Sequence, residues 1–423
     1  MLSSRAFLLL PLTLSFTPML LAGGDSEARS DTPRATAKAD PAELAKLARV
    51  ELELARDLIA AMPDEKGNLV VSPLSIYQAL AMTAAGAKGD TAAEMEKVLR
   101  FPLPPGRMHA ALGALELELR QRATAEGRKK AEPAFTLNVA NALFGQAGRR
   151  FEPSFLELLA ASYGAGMRLV DYQADHEAAR QRINGWVSEQ TRERIPELLQ
   201  KPNVTPDTRL VLVNAVYFLA KWDQPFEKEW TRPGPFTRAD GSKVEAQLMH
   251  RTGYMELAVL DGARALKLPY KGGKVACWIL LPESTARLDA LLSELPAKLP
   301  ALRAKSEFVS LKLPKVKTGW RGALVPPFQQ LGMSLATQAD KADFSGMDGT
   351  RELFVSSITH QTFLAVDEEG TEAAAATAVE MAAGSVPPPP VPFVVDRPFL
   401  LVIRDEPTGA VLFLARIMDP TAP

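Results

Sequence analysis

The chain has 423 residues, 47% of them hydrophobic and 23% charged, as in ordinary folded globular proteins. Its formal net charge of -1 leaves no basic excess to neutralise phosphates, which excludes general nucleic-acid binding. The single cysteine, Cys277, excludes an internal disulfide. Set in the apolar run KVACWILLPE, its thiol reads as buried packing rather than a nucleophile.

In chain order, residues 1–24, MLSSRAFLLLPLTLSFTPMLLAGG, are predicted to be an export signal. Arg5 supplies the positive start, Phe7 to Leu21 the apolar core, and Ala22-Gly23-Gly24 the small residues for cleavage. Pro11 and Pro18 interrupt a run too short for a membrane anchor, and Gly24 stands where a lipoprotein needs its cysteine. A secreted protein, extracellular or periplasmic, is therefore expected, with residues 1–23 as the signal. Residues 24–42 are polar and aperiodic and read as a disordered leader.

One folded domain is expected over 43–423. Asp40-Pro41 with Glu43 marks a helix start, and Leu47, Val50, Leu54 and Leu58 line one face at helical spacing. VVSPLSIYQALAMTAAGAKGD begins as a strand, turns helical at Ser72-Pro73 and stops near Gly86. Strands are then predicted in FTLNVANALFGQ, RLVLVNAVYFLAKW, VACWILLP, FVSLKLPKVK and LFVSSITHQTFLAV, and a hairpin in PFLLVIRDEPTGAVLFLARI. Helices dominate the first half and strands the second. The fold class is α+β with a large, mainly antiparallel sheet.

Catalytic patterns fail. His176-Glu177-Ala178-Ala179-Arg180 opens like a zinc-protease helix, but Arg180 replaces the second histidine. No G-x-S-x-G elbow and no glycine-rich phosphate loop occur. No enzyme activity, cofactor or metal is predicted.

The stretch DEEGTEAAAATAVEMAAGSVPPPP (367–390) stands out between two apolar strands. Alanine favours a surface helix there. Alternation supports a different reading. Thr371, Ala373, Ala375, Thr377, Val379 and Met381 form an uncharged row, while Glu372, Ala374, Ala376, Ala378 and Glu380 carry both charges. As a strand, the first row would face a core and the second solvent. A reversal at Gly370 would lay this strand antiparallel beside LFVSSITHQTFLAV. Its small side chains would let it enter between strands already paired.

With these features the stretch resembles the reactive-centre loop of a serpin, and Glu368, Gly370, Thr371, Glu372, Ala373, Ala374, Ala375, Ala376 and Thr377 match the inhibitory hinge. NLVVSPLSI (68–76), LVNAVYFLAKWDQPF (212–226), ADFSGM (342–347) and DRPFLLVIRDEPTGAVLFLARIMDP (396–420) resemble serpin signatures in serpin order. The likeness covers roughly residues 43 to 420, on the inhibitory, bacterial-type side of the family.

The resemblance implies a serpin fold and a single-use inhibitor of serine proteases, in which the acylated loop (368–392) inserts into the main sheet. Counting from Glu368 by the family's spacing places the reactive bond at Gly384–Ser385, with Ala383 or Met381 as alternatives. The small residues before it imply an elastase-like or subtilisin-like target. Ser72, Ser75, Asn214 and His360 match the polar cluster beneath the opening sheet. Trp222 and Glu368 match the loop's entry point, where Arg251 or His250 is expected to pair with Glu368. Thr362 replaces a smaller residue usual in the family. A monomer is implied. The alternative is a non-inhibitory serpin-fold binding or chaperone protein, against which the hinge offers no bulky, charged or proline residue at its inward positions.

Overall fold

A computed structural model describes residues 26–36, 40–62, 66–123, 135–371 and 388–422. Its first described segment departs from expectation, because the leader is not without structure. Strand β1 (Ser26–Ala28) pairs antiparallel with β4 (Met167–Val170) at a sheet edge. Arg34 then ion-pairs with Glu116 at 2.5 Å, and Ala35 N–H donates to the Ala161 carbonyl at 2.8 Å. A three-residue strand carries no periodicity of its own; the unpaired edge of β4 creates it.

Helix α1 (Pro41–Ala60) starts as read, with the Asp40 carboxylate accepting from Ala42 N–H at 2.8 Å and Pro41 in the first turn. Glu43 ion-pairs with Arg107 at 2.5 Å. Strand β2 (Leu69–Val71) runs through Ser72 into α2 (Pro73–Ala84), which is buried almost all round. Helices α3 (Gly89–Leu99), α4 (Pro105–Ala123), α5 (Pro153–Leu158) and α6 (Tyr172–Gln190) follow.

Two sheets form the body. The first has the order β1-β4-β3-β5-β12-β11, with β3 (Phe135–Gln146), β5 (Leu210–Lys221), β11 (Val316–Ala323) and β12 (Val355–Val366). A two-residue strand, β13 (Gly370–Thr371), pairs with the end of β5. The second sheet is ordered β14-β10-β7-β8-β9-β15-β16-β2, with β6 (Arg232–Thr237) added to β7. Its members are β7 (Lys243–Leu260), β8 (Ala263–Pro269), β9 (Val275–Pro282), β10 (Lys305–Pro314), β14 (Val391–Val394), β15 (Phe399–Asp405) and β16 (Val411–Ile417). The sheets are mixed: β3–β4, β5–β12 and β10–β14 are parallel pairs.

Both faces of β5 are buried. Leu210, Leu212, Val216, Phe218 and Ala220 join the main core, while Val211, Val213 and Ala215 pack with Ile183 and Val187 of α6 and with Ile195, Leu198 and Leu199 of the chain after it. The expected solvent-facing row lies outside the described residues; on that side β5 itself is covered by α6 and residues 195–199. Cys277 is fully buried, and burial pushes its thiol up to about 12, which keeps it protonated and unreactive.

Candidate functional site

The site is a seam in the first sheet. Strands β5 and β12 run parallel and pair from Leu210–Val355 to Tyr217–Phe363. Parallel ladders are slightly less stable per residue than antiparallel ones, so this is a weak line through the sheet. Above it, Gly370 pairs with Lys221 and Thr371 with Ala220, antiparallel. The chain after β12 has thus already turned back into the sheet by two residues.

Polar side chains bridge the seam at one level. Asn141 on β3, Asn214 on β5 and His360 on β12 are register partners across three strands. Asn214 Nδ2 donates to Ser75 Oγ and to Asn141 Oδ1, each at 2.6 Å, and Ser75 Oγ donates to Asn141 Oδ1 at 2.8 Å. His360 Nδ1–H donates to Asn214 Oδ1, and its Nε2 accepts from Ser72 N–H at 3.2 Å. These contacts hold the imidazole neutral, and full burial pulls its pKa down to about 3. Ser72, Ser75, Asn214 and His360 therefore meet, and Asn141 joins them unforeseen. Its signal was a polar residue inside the apolar strand FTLNVANALFGQ, the mirror of Asn214 in LVNAV. One rung further up, Thr362 Oγ1 donates to the Val70 carbonyl at 2.7 Å, a bond that its unusual hydroxyl makes between β12 and β2.

Trp222 does not join this cluster. It sits at the entry point, stacked on Tyr270 with ring centroids 4.5 Å apart. Its Nε1–H donates to the Asp367 carbonyl and its backbone N–H to the Glu369 carbonyl, both at 2.9 Å. The Asp367 carboxylate accepts from the N–H groups of Glu369 and Gly370, which sets the reversal. Gly370 is required for this approach, since a Cβ there would lie 2.0 Å from the Ala220 carbonyl oxygen. Thr371 is fully buried, its hydroxyl 2.7 Å from that of Tyr270.

Neither Arg251 nor His250 pairs with Glu368. Lys315 Nζ lies 2.7 Å from its Oε2, and Thr231 Oγ1 donates to Oε1 at 2.8 Å. Burial raises this carboxyl's pKa, but Lys315 and the hydrogen bonds outweigh it and hold the group below the usual value. Lys228 pairs with Glu369 at 2.5 Å. Arg251 instead reaches the Gln224 carbonyl, and His250 Nε2 lies 3.1 Å from Ser310 Oγ. The lysines gave no signal in sequence, because each stands far along the chain from the glutamate it meets. A cleft of about 1060 Å³, lined by Lys228, Lys315, Lys317, Asp367 and Glu368, opens beside this latch. Residues 372–387 of the proposed loop, including Glu372, Ala373 to Ala376, Thr377, Met381, Ala383, Gly384 and Ser385, lie outside the described residues.

A family model described as serpin (serine protease inhibitor) matches residues 49–420. Leukocyte elastase inhibitor A of Rattus norvegicus is 37% identical over 380 residues, covering 87% of this chain and 97% of the relative. The leukocyte elastase inhibitor of Homo sapiens is 34% identical over 388 residues, covering 88% and 99%. Among solved structures, the thermophilic serpin tengpin in its native state superposes with a TM-score of 0.81 at 26% identity, over 93% of this chain and 99% of that one. Serpin48 of the insect Tenebrio molitor gives 0.78 at 28% identity, over 90% and 100%.

These comparisons also correct an expectation. The leukocyte elastase inhibitors matched here are intracellular proteins, which overturns the secreted, extracellular or periplasmic location inferred from the N-terminal sequence. The supposed signal, residues 1–23, lies outside the described residues. With a family model over most of its length and relatives above 30% identity over nearly theirs, the chain belongs to the serpin family, and its α+β architecture is the serpin fold.

Proposed function

We propose that this serpin is a single-use trap for serine proteases, acting as a monomer. The observation that carries the reading is the pairing of Gly370 and Thr371 at the open end of a parallel seam. In the proposed reaction a protease serine attacks the Gly384 carbonyl carbon. The Gly384–Ser385 bond breaks, the Ser385 amine leaves with a proton, and the loop is held as an ester on the enzyme. Freed at that end, the chain from Thr371 continues into the seam.

Continuing the register Thr371–Ala220 sets Thr377 opposite Asn214. The same parity puts its side chain on the Asn214 face, between Asn214 and His360. Insertion must part those two groups, and a hydroxyl arriving at that level can replace the bond it breaks. Unmade, such a bond would cost about 1–3 kcal/mol. Ala376 and Ala378 would oppose Ala215 and Val213, beneath α6 and residues 195–199. Larger side chains would collide there. The parallel ladder is thereby replaced by two antiparallel ones.

Insertion of about 14 residues carries the ester roughly 45 Å along the sheet. The captive enzyme's oxyanion geometry tolerates little of that displacement, so deacylation stops. The relatives named leukocyte elastase inhibitors support an elastase-like target, as do the small residues Ala382, Ala383 and Gly384. The test is to mix intact protein with leukocyte elastase and with subtilisin. A detergent-stable complex linked through Gly384 is expected; digestion of the loop with no lasting loss of protease activity would contradict the reading.

A further inference from the structure

Three large apolar side chains are conspicuously exposed among the described residues: Trp230, Tyr254 and Val259. Two of them share one surface. Tyr254 on β7 pairs in register with Phe308 on β10, ring centroids 5.3 Å apart. Two rungs along the same face lies His250, and the Trp230 ring sits 6.4 Å from it. The face continues on β14, where Pro392 pairs with Ser310 and Val394 with Lys312. The core of an interface is enriched in such aromatic residues.

Beside Tyr254 a cleft of about 490 Å³ is walled by Asp223, Arg251, Tyr254, Glu256 and Lys267. The Arg251 guanidinium meets the Gln224 carbonyl and the Phe226 ring, and its buried Nε has no partner. Its charge is poorly solvated, and burial pulls its pKa down to about 10. Asp223, on the wall of the same cleft, acts on this charge and offsets part of its burial; a half-buried cation so placed is stabilised further when a second carboxylate is brought to it.

What covers this face follows from the length of chain that separates it from the reactive bond. Ser385 and Val391, the first residue of β14, are joined by at most about 20 Å of extended chain. A globular enzyme of about 200 residues is roughly 40 Å across. A protease seated on Gly384–Ser385 therefore overhangs the sheet that β14 joins.

We infer that the outer face of β7, β10 and β14, formed by Trp230, Tyr254, Phe308 and Pro392 with the Arg251 cleft at its side, is a second docking surface for the protease, receiving an apolar patch and a carboxylate. The inference rests on the inhibitory reading above. It adds a determinant of target choice separate from the residues flanking the cut bond, and it acts on encounter rather than on insertion.

The test uses the full chain, a Trp230→Ala/Tyr254→Ala/Phe308→Ala variant and, separately, Arg251→Gln. Binding is measured to leukocyte elastase and to subtilisin whose nucleophilic serine is replaced by alanine, so that no covalent step intervenes. At least one enzyme should bind the triple variant tenfold or more weakly than wild type, and Arg251→Gln severalfold more weakly. With active enzymes the association rate should fall in parallel, while stoichiometry and melting temperature stay at wild-type values. Equal binding of wild type and triple variant to both enzymes would overturn the surface. Failure of the trap reads differently: no covalent complex with active enzyme, whatever the binding of the inactive one.

Discussion

The Tyr270 hydroxyl lies 2.7 Å from the Thr371 hydroxyl at the mouth of the seam, and both side chains are fully buried. Arginine at position 371 could not stay in that pocket and would withdraw Gly370 and residue 371 from β5, so insertion would first have to bury the charge opposite Ala220 and Tyr270, where unpaired it costs several kcal/mol. Each 1.4 kcal/mol added to the insertion barrier slows that step about tenfold. Deacylation belongs to the protease and is unaffected. Thr371→Arg should be cut at the same bond yet release active enzyme, raising the stoichiometry of inhibition severalfold. Mass spectrometry of the cut site and titration of residual protease activity check both parts.

Asn214 is the centre of the bar across β3, β5 and β12. Asn214→Ala leaves the His360 N–H and the Ser75 and Asn141 oxygens short of a partner, at a cost of about 1–3 kcal/mol to the native state. An inserted loop parts the bar in any case, so the cost falls mainly on the uninserted form. Warming the variant should convert it to an inactive, uncleaved and more heat-stable form sooner than wild type. Residual inhibition after incubation, read beside an intact mass, measures this.

Acid should loosen the same bar. His360 titrates near 6.5 when unfolded and at about 3 when buried, so the fold holds the neutral ring. Its stabilising contribution is complete above pH 6.5 and is lost progressively as pH falls toward 3. His109, pulled down to about 4 by burial, acts in the same direction. Glu368 adds a carboxylate whose pairing with Lys315 is lost on protonation. Melting temperature should fall between pH 6.5 and 4, and His360→Gln should flatten the slope in part. An identical slope in that variant would remove His360 from the account.

The long strands were legible because both the alternation and the apolar runs that form them are local. FTLNVANALFGQ and VACWILLP are β3 and β9 residue for residue. What was not legible is made by contact between distant segments. Ser26–Ala28 becomes a strand only because β4 offers an edge, and Lys315 meets Glu368 only after β11 is laid beside β12. The burial of the second face of β5 was hidden for the same reason, since no local pattern announces that residues 195–199 fold back over it.

The leader makes a prediction of its own. Its bonds tie β4, Gly113 and Glu116 of α4 and the turn at Ala161 into one edge. A chain starting at Thr36 should lose about 1–2 kcal/mol, a fall of a few degrees in melting temperature. Arg34→Ala should give a smaller fall in the same direction, measured by calorimetry on the intact protein.

The central claim is that the native fold stores free energy which loop insertion releases, and melting before and after a single cut between residues 381 and 385 tests it most directly. Insertion would give about ten further loop residues strand hydrogen bonds on both sides, roughly 10 kcal/mol in total. At about 2 °C per kcal/mol, the cut protein should melt roughly 20 °C above the intact one. A nicked surface loop gains nothing of the kind. An unchanged or lowered melting temperature after clean cleavage would contradict the account.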